Sequence, residues 1–176
     1  MIDSSDIESQ FHEILESSFF LRTTMRRRKS GGPRTIETTY VWDGDRRMVI
    51  SGYPGPRDWV ANMSANVDVT VSTVEGDRWF ETAGTARVVR DRNERVPHLI
   101  AFIEHWAERP GFPRRRFMFI INAIKINRKL HLPWWGPFYF VRKVFDQMPC
   151  VEITFTGNVV EIEGPVPMSE PQTDRP

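Results

Sequence analysis

The stretch that decides the fold is residues 26–46, RRRKSGGPRTIETTYVWDGDR. It begins with a basic Ser-Gly-Gly-Pro turn and continues directly into an alternating, β-branched run that ends at Asp43-Gly44. Such a run before Asp-Gly predicts a strand that enters a β-hairpin. The cations of the turn admit three interpretations: a solvated surface turn, a nucleic-acid patch, or a cradle for a phosphorylated cofactor. They are Arg26, Arg27, Arg28, Lys29 and Arg34.

Working outward, the patterns on either side predict further strands and helices. Helices are indicated over 6–18, 59–66, 91–109 and on both sides of LPWWGP within 114–146. Strands are indicated over 19–25, 34–42, 46–52, 67–74, 78–90, 150–155 and, more weakly, 158–164. Gly84, inside a strand pattern, marks a bulge or a close backbone approach. About six short strands in meander spacing predict an α+β fold, mainly antiparallel β: a barrel with peripheral helices.

Composition limits the class of protein. The chain has 176 residues, 40% of them hydrophobic and 27% charged, which suits one globular domain. We assign residues 1–163 to that domain, 114–146 to a basic, aromatic helical insertion within it, and 164–176 to a polar, Pro-rich tail expected to be disordered. A net charge of +1 argues against nucleic acid as a partner.

The same composition bears on location and on metal or redox chemistry. Cys150 is the single cysteine, so neither an intramolecular disulfide nor a multi-cysteine zinc site is expected. The start is acidic and unlike a secretory signal, and no apolar run is long enough to span a bilayer. The expectation is a soluble cytoplasmic protein. The four histidines lack metal-ligand spacing, so no metal site is predicted.

The segment 114–146 is rich in aromatic and basic residues, including the run WWGPFYF. It admits three interpretations: core and dimer interface, the wall of a pocket for a planar ligand, or a membrane-surface patch. The last would make the protein peripherally membrane-associated through 114–146.

Beyond these patterns, residues 26–46 together with VISGYPGPRDWVANMSANVDVTV resemble the deazaflavin (F420)-dependent nitroreductase family. That family lies within the FMN-binding, pyridoxamine-phosphate-oxidase-like split β-barrels. The resemblance covers roughly residues 19–89 and a closing strand MPCVEI. It rests on Lys29-Ser30-Gly31, Pro33-Arg34, Asp43-Gly44, and Trp59, Asn62 and Asn66 before a Val-rich strand.

The resemblance implies a split β-barrel homodimer that uses reduced coenzyme F420 to transfer a hydride to a quinone- or nitro-type acceptor. The implied phosphate contacts are Arg28, Lys29, Ser30 and Arg34. The implied ring contacts are Thr35, Ile36, Glu37, Thr38, Thr39, Ile50, Ser51, Gly52 and Tyr53, with Asp58, Trp59 and Asn62 closing the loop side. Tyr139, Trp134 and Trp135 are candidates for orienting the acceptor.

Two departures from the family pattern matter. The loop after the third strand lacks the family's lysine, and Arg57 is the candidate to replace its charge. Glu37 puts a carboxylate where the family carries Pro or an apolar residue, close to the implied ring. Two alternatives therefore stay open: the same barrel holding FMN or another planar ligand such as haem, and a barrel without redox chemistry that binds a fatty acyl or membrane-surface ligand.

Overall fold

The computed structural model describes residues 4–109, 111, 114–133 and 137–169. Seven strands lie within them: β1 Phe20–Arg26, β2 Pro33–Trp42, β3 Arg47–Ser51, β4 Asp68–Thr73, β5 Trp79–Val88, β6 Cys150–Phe155 and β7 Val160–Ile162. Five helices complete the order: α1 Ser4–Ser17, α2 Asp58–Ala65, α3 Arg92–Trp106, α4 Arg114–Lys129 and α5 Pro137–Gln147. These elements follow the sequence-based predictions closely, including helices on both sides of LPWWGP.

Six strands close into an antiparallel barrel in the order β4-β1-β2-β3-β6-β5, with β4 and β5 paired to close it. β7 adds a seventh strand, paired with the start of β5. The predicted fold class, an antiparallel barrel with peripheral helices, is confirmed. Alternate residues of each strand point inward, as the period of two requires. The interior includes Leu21, Met25, Ile36, Tyr40, Met48, Ile50, Val71, Phe80 and Ile153.

The helix α1 is tied to this interior by one buried hydrogen bond. The Tyr40 hydroxyl donates to the Leu15 carbonyl over 3.0 Å. Burial raises the pKa of Tyr40, so the hydroxyl stays a donor at any ordinary pH. Phe11, also in α1, packs beside Phe80 and Phe155.

A second apolar cluster lies on the outside of the barrel. Val49 of β3 and Cys150 of β6 pack against Leu99 and Ile103 of α3, and Ile124 of α4 joins the same cluster. Cys150 is buried in this cluster, and burial raises the pKa of its thiol to about 12. In the described part of the chain, no helix is both long and apolar enough to cross a membrane.

Residues 164–169 are the described part of the tail that composition predicts to be disordered, and they lie along the edge of β2. Strand β3 pairs with β2 only over residues 40–42, which leaves the edge of β2 near Thr35 without a neighbouring strand. Ser169 uses that edge: its N–H donates to Thr35 O over 3.3 Å, and Thr35 N–H donates to Ser169 Oγ over 2.8 Å. On the way, Arg22 Nη1 donates to Val166 O over 2.6 Å. Backbone groups left unpaired by β3 therefore hold the tail. The rest of the predicted disordered tail, 170–176, lies outside the described residues.

The barrel closes at Gly84, and this site yields a stability prediction. A Cβ at Gly84 would lie 2.9 Å from Ile153 Cγ2 and 3.1 Å from Thr154 O. The prediction of a close backbone approach is thus confirmed. We expect Gly84→Ala to lower the free energy of unfolding by about 1–3 kcal/mol, because an overpacked core must shift backbone or side chains. Urea denaturation measures this. Gly164→Ala is the control, since nothing lies within 4 Å of its added Cβ, and an equal loss in both variants would contradict the packing argument.

Candidate functional site

The basic turn between β1 and β2 is closed by its own backbone. Arg27 N–H donates to Gly32 O over 2.8 Å, and Gly31 N–H donates to Arg27 O over 2.9 Å. Gly31 has φ +72°, a left-handed conformation that favours glycine. Gly32 N–H reaches Ser30 Oγ at 3.4 Å. The backbone N–H groups of Arg27, Gly31 and Gly32 therefore make hydrogen bonds within the turn itself.

Helix α2 holds this turn in place. The buried Asn62 accepts a hydrogen bond from Arg28 N–H at its Oδ1 over 3.1 Å. Asp58 Oδ2 lies 3.3 Å from Arg34 Nε, whose side chain is only 11% exposed. Trp59, which follows Asp58 in α2, packs into the barrel interior. The residues of the Trp-x-x-Asn pattern thus support the turn from behind.

An open cleft of about 500 Å³ lies between the turn, α2 and the junction of α5 with β6. Three guanidinium-bearing residues line it, Arg28, Arg57 and Arg90, and among the described residues its lining contains no carboxylate, histidine or cysteine. The other lining residues are small or uncharged: Gly55, Pro56, Val60, Ala61, Ser64, Ala65, Gln147 and Pro149. Uncompensated positive charge in a concave surface attracts anions.

Hydrogen bonds fix the walls of this cleft. Arg57 Nη2 donates to Tyr53 O over 3.0 Å, and Arg90 Nη2 donates to Ser64 Oγ over 2.9 Å. Gly55 N–H donates to Gln147 O over 2.8 Å, which ties the loop before α2 to the end of α5. Each guanidinium has five N–H donors, so the bonds that orient Arg57 and Arg90 leave donors for a ligand.

The structure separates the predicted phosphate contacts into two groups. Arg28 lines the cleft together with Arg57, the predicted substitute for the missing lysine. Lys29 and Ser30 lie exposed on the same turn. Arg34 instead pairs with Asp58. Sequence reasoning missed Arg90, which follows β5, because no local pattern connects it with a turn more than sixty residues earlier.

Most of the predicted ring contacts are not exposed to a ligand. Ile36, Ile50 and Trp59 belong to the barrel interior. Ser51 is buried and donates from Oγ to Pro149 O over 2.6 Å. Of the remaining predicted ring contacts, Thr39 is buried, and Thr38 and Gly52 are half-buried. Thr35 is hydrogen-bonded to the tail, and Tyr53 is 72% exposed.

Glu37 has a simple structural partner. It lies opposite Arg22 on β1, and Arg22 Nη2 is 3.0 Å from Glu37 Oε2. The Glu37 carboxylate, which departs from the family pattern, is therefore neutralised by Arg22 across strands β1 and β2. The register of the hairpin predicts this pair: counting back from Arg26 opposite Pro33 puts Arg22 opposite Glu37.

Of the predicted acceptor-orienting residues, Tyr139 does not line the cleft. Tyr139 is exposed near the start of α5, while Gln147 at its end lines the cleft. Eight residues of helix separate them by about 12 Å along the axis. Trp134 and Trp135 lie outside the described residues. Within the described residues, no group of three His, Cys, Asp or Glu side chains could hold a metal ion.

Comparisons with solved structures identify the architecture. An FMN-binding protein from Syntrophomonas wolfei matches at a TM-score of 0.55 and 5% identity, covering 91% of this chain and 88% of that one. A protein from Listeria innocua, provisionally assigned as a pyridoxamine 5′-phosphate oxidase, matches at 0.51 and 13%, covering 90% and 99%. The fold is a split β-barrel. The predicted split β-barrel fold is confirmed.

Similarity to solved structures shows the fold alone. An F420 reductase also matches, at 17% identity over 85% of this chain and 94% of that one, but its TM-score of 0.49 is too low to carry an argument. No protein-family model matches the sequence, and no curated protein does.

The support of the turn by α2 yields a second prediction. Asn62→Ala removes the acceptor of the Arg28 N–H, and we expect it to lower the free energy of unfolding by about 1–3 kcal/mol, the cost of an unsatisfied buried donor. Amide hydrogen exchange at Arg28 should accelerate as well. Asn66→Ala, at the residue that follows the same helix, is the control and should change stability by less than about 0.5 kcal/mol. Unchanged exchange at Arg28 would show that α2 does not hold the turn.

Proposed function

We propose that this split β-barrel is an oxidoreductase that uses reduced coenzyme F420 to transfer a hydride to a quinone- or nitro-type acceptor. One observation carries the proposal: the cleft lined by Arg28, Arg57 and Arg90 without a carboxylate. Two of these three arginines are residues that the family resemblance assigned to the cofactor on sequence alone. The fold, shared with an FMN-binding protein, is compatible with a planar redox cofactor.

The donor set fits the phosphate of such a cofactor. Guanidinium groups make charge-assisted, often bidentate hydrogen bonds to phosphate oxygens. Arg28, Arg57 and Arg90 would hold the phosphate, with Lys29 and Ser30 on the exposed part of the same turn. Val60, Ala61 and Pro149 supply the apolar surface of the cleft. FMN carries the same phosphate, so it is the alternative ligand of the same site.

The contribution of the chain to the reaction is positioning and electrostatics. When bound, the reduced deazaflavin supplies the hydride. The arginines that line the cleft would bind and orient the cofactor, and the proposal assigns no general acid or base to the described lining residues. The homodimer implied by the resemblance stays a prediction, which light scattering measures.

Titration of the purified protein with F420, and separately with FMN, tests the proposal. We expect quenching of tryptophan fluorescence by F420, and oxidation of reduced F420 when a quinone is added. Arg28→Ala and Arg90→Ala should each weaken binding by about 10- to 100-fold, since a hydrogen bond to a charged group contributes about 1.5–3 kcal/mol.

The matched control is Arg46→Ala, an exposed arginine at the opposite end of β2 from the basic turn. Its affinity should equal that of the unmodified chain. Binding of FMN but not F420 would transfer the site to the alternative cofactor. Failure of both to bind at high micromolar concentration, or equal affinity in all arginine variants, would refute the proposed phosphate site.

The tail yields a further prediction about where the ring lies. The resemblance puts the ring along β2, where residues 164–169 now engage Thr35 and Arg22. A chain that ends at Glu163 should therefore bind the cofactor more tightly while losing about 1–3 kcal/mol of stability with the lost hydrogen bonds. Affinity and urea denaturation are measured on both chains. Equal affinity would show that the ring does not lie along β2.

A further inference from the structure

The helical segment outside the barrel exposes an unusual concentration of large apolar side chains. In the described part of the chain, seven of eleven such exposed side chains lie between residues 119 and 140. They are Phe119, Ile120, Ile126, Leu130, Leu132, Tyr139 and Phe140. Phe119 is 76% exposed and Phe140 70%. A patch of this kind on a folded domain marks a surface that something covers.

Helix α4 has two distinct faces. Ile121 and Ile124 are buried in the apolar cluster with α3. The opposite face carries Phe119 and Ile126, seven residues apart and both exposed, with Arg115 and Lys129 on the same stripe. Helical periodicity puts these four side chains on one side. The exposed face of α4 is thus amphipathic in its own right, mixing apolar and cationic groups.

The junction of α4 and α5 continues the surface. Leu130 and Leu132 are exposed after the end of α4, and Tyr139 and Phe140 are exposed in the first turn of α5. Two exposed lysines lie near these pairs in sequence. Lys129 directly precedes Leu130, and Lys143 follows Phe140 by three residues. We call these exposed residues of α4, the junction and α5 the hairpin surface.

The positive charge of α4 indicates which kind of partner would occupy this surface. The whole chain has a net charge of +1, but α4 carries six Lys or Arg residues and no Asp or Glu. Two of the six have acidic partners: Lys125 pairs with Glu104, and Arg114 with Glu108. Arg115 and Lys129 are exposed on the outer stripe together with Phe119 and Ile126.

We infer that the hairpin surface docks onto an anionic lipid bilayer, lying on it with its apolar side chains in the interface. Aromatic and aliphatic groups interleaved with cations are the chemistry that such an interface selects. A second copy of this chain is a poorer occupant, because a symmetric contact would place the cations of two hairpins against one another. Since no described helix can span a membrane, the surface lies on the bilayer and does not cross it.

Vesicle co-sedimentation tests this inference with the full chain. We expect binding to vesicles of phosphatidylcholine mixed with phosphatidylserine, weakened by salt, and much less binding to phosphatidylcholine alone. Leu132→Ser/Phe140→Ser and Arg115→Glu/Lys129→Glu should each weaken vesicle binding about tenfold or more. Only the second should also abolish the preference for phosphatidylserine. These positions are exposed, so thermal denaturation should show that both variants fold.

The controls are Val67→Ser/Val160→Ser, two exposed valines outside the hairpin surface, and Arg46→Glu. Both should bind vesicles like the unmodified chain. Absence of binding, or equal loss in the control variants, would overturn the inference. So would a dimer in light scattering that dissociates in Leu132→Ser/Phe140→Ser, since the surface would then join two copies. The lipid assay needs no cofactor, so its outcome is independent of the proposed reaction.

Discussion

The barrel depends on one close approach of backbone. Strand β5 must pair with β4 on one side and β6 on the other, and Gly84 lies opposite Val69 in one pair and Phe155 in the other. A side chain there would meet Ile153 and the backbone of β6. The chain leaves β5 after Val88, and two residues later the guanidinium of Arg90 donates to Ser64 on α2. The path of β5 through the closed barrel thus brings Arg90 to the cleft.

Partner carboxylates decide which arginines can serve a ligand. Arg34, nearly buried, is matched by Asp58, and Arg22 is matched by Glu37. A buried guanidinium requires such a partner, because desolvation of an unmatched charge is costly. Among the described residues that line the cleft with Arg28, Arg57 and Arg90, none is acidic. The positive charge of the site therefore comes from where the acidic residues are placed, although the chain as a whole is almost neutral.

Much of the fold and some of the site could be predicted from sequence. Strand alternation and the Asp43-Gly44 turn predict the hairpin of β2 and β3. The Arg22–Glu37 pair lies across the other hairpin, between β1 and β2, and it became visible only with the register of those strands. The contacts of residues 164–169 could not be predicted, because they depend on β3 pairing with only the last residues of β2. Composition shows that the segment is polar and Pro-rich, but it does not show the unpaired edge near Thr35 to which the segment is hydrogen-bonded. Ile50 was assigned to the cofactor ring by the family resemblance, and a shared motif does not show that this side chain lies in the barrel interior.

The sequence by itself determined the elements and the local chemistry of the turn, since these depend on residues a few positions apart: alternation, glycine at a left-handed position, and cations next to it. Only the tertiary structure decided that Arg28, Arg57 and Arg90 line one cleft, that Arg34 does not, and that the α4–α5 helices leave an apolar, cationic face outside. Those outcomes depend on contacts between segments far apart in the chain. Their free energies come from barrel closure and burial, which no local pattern encodes.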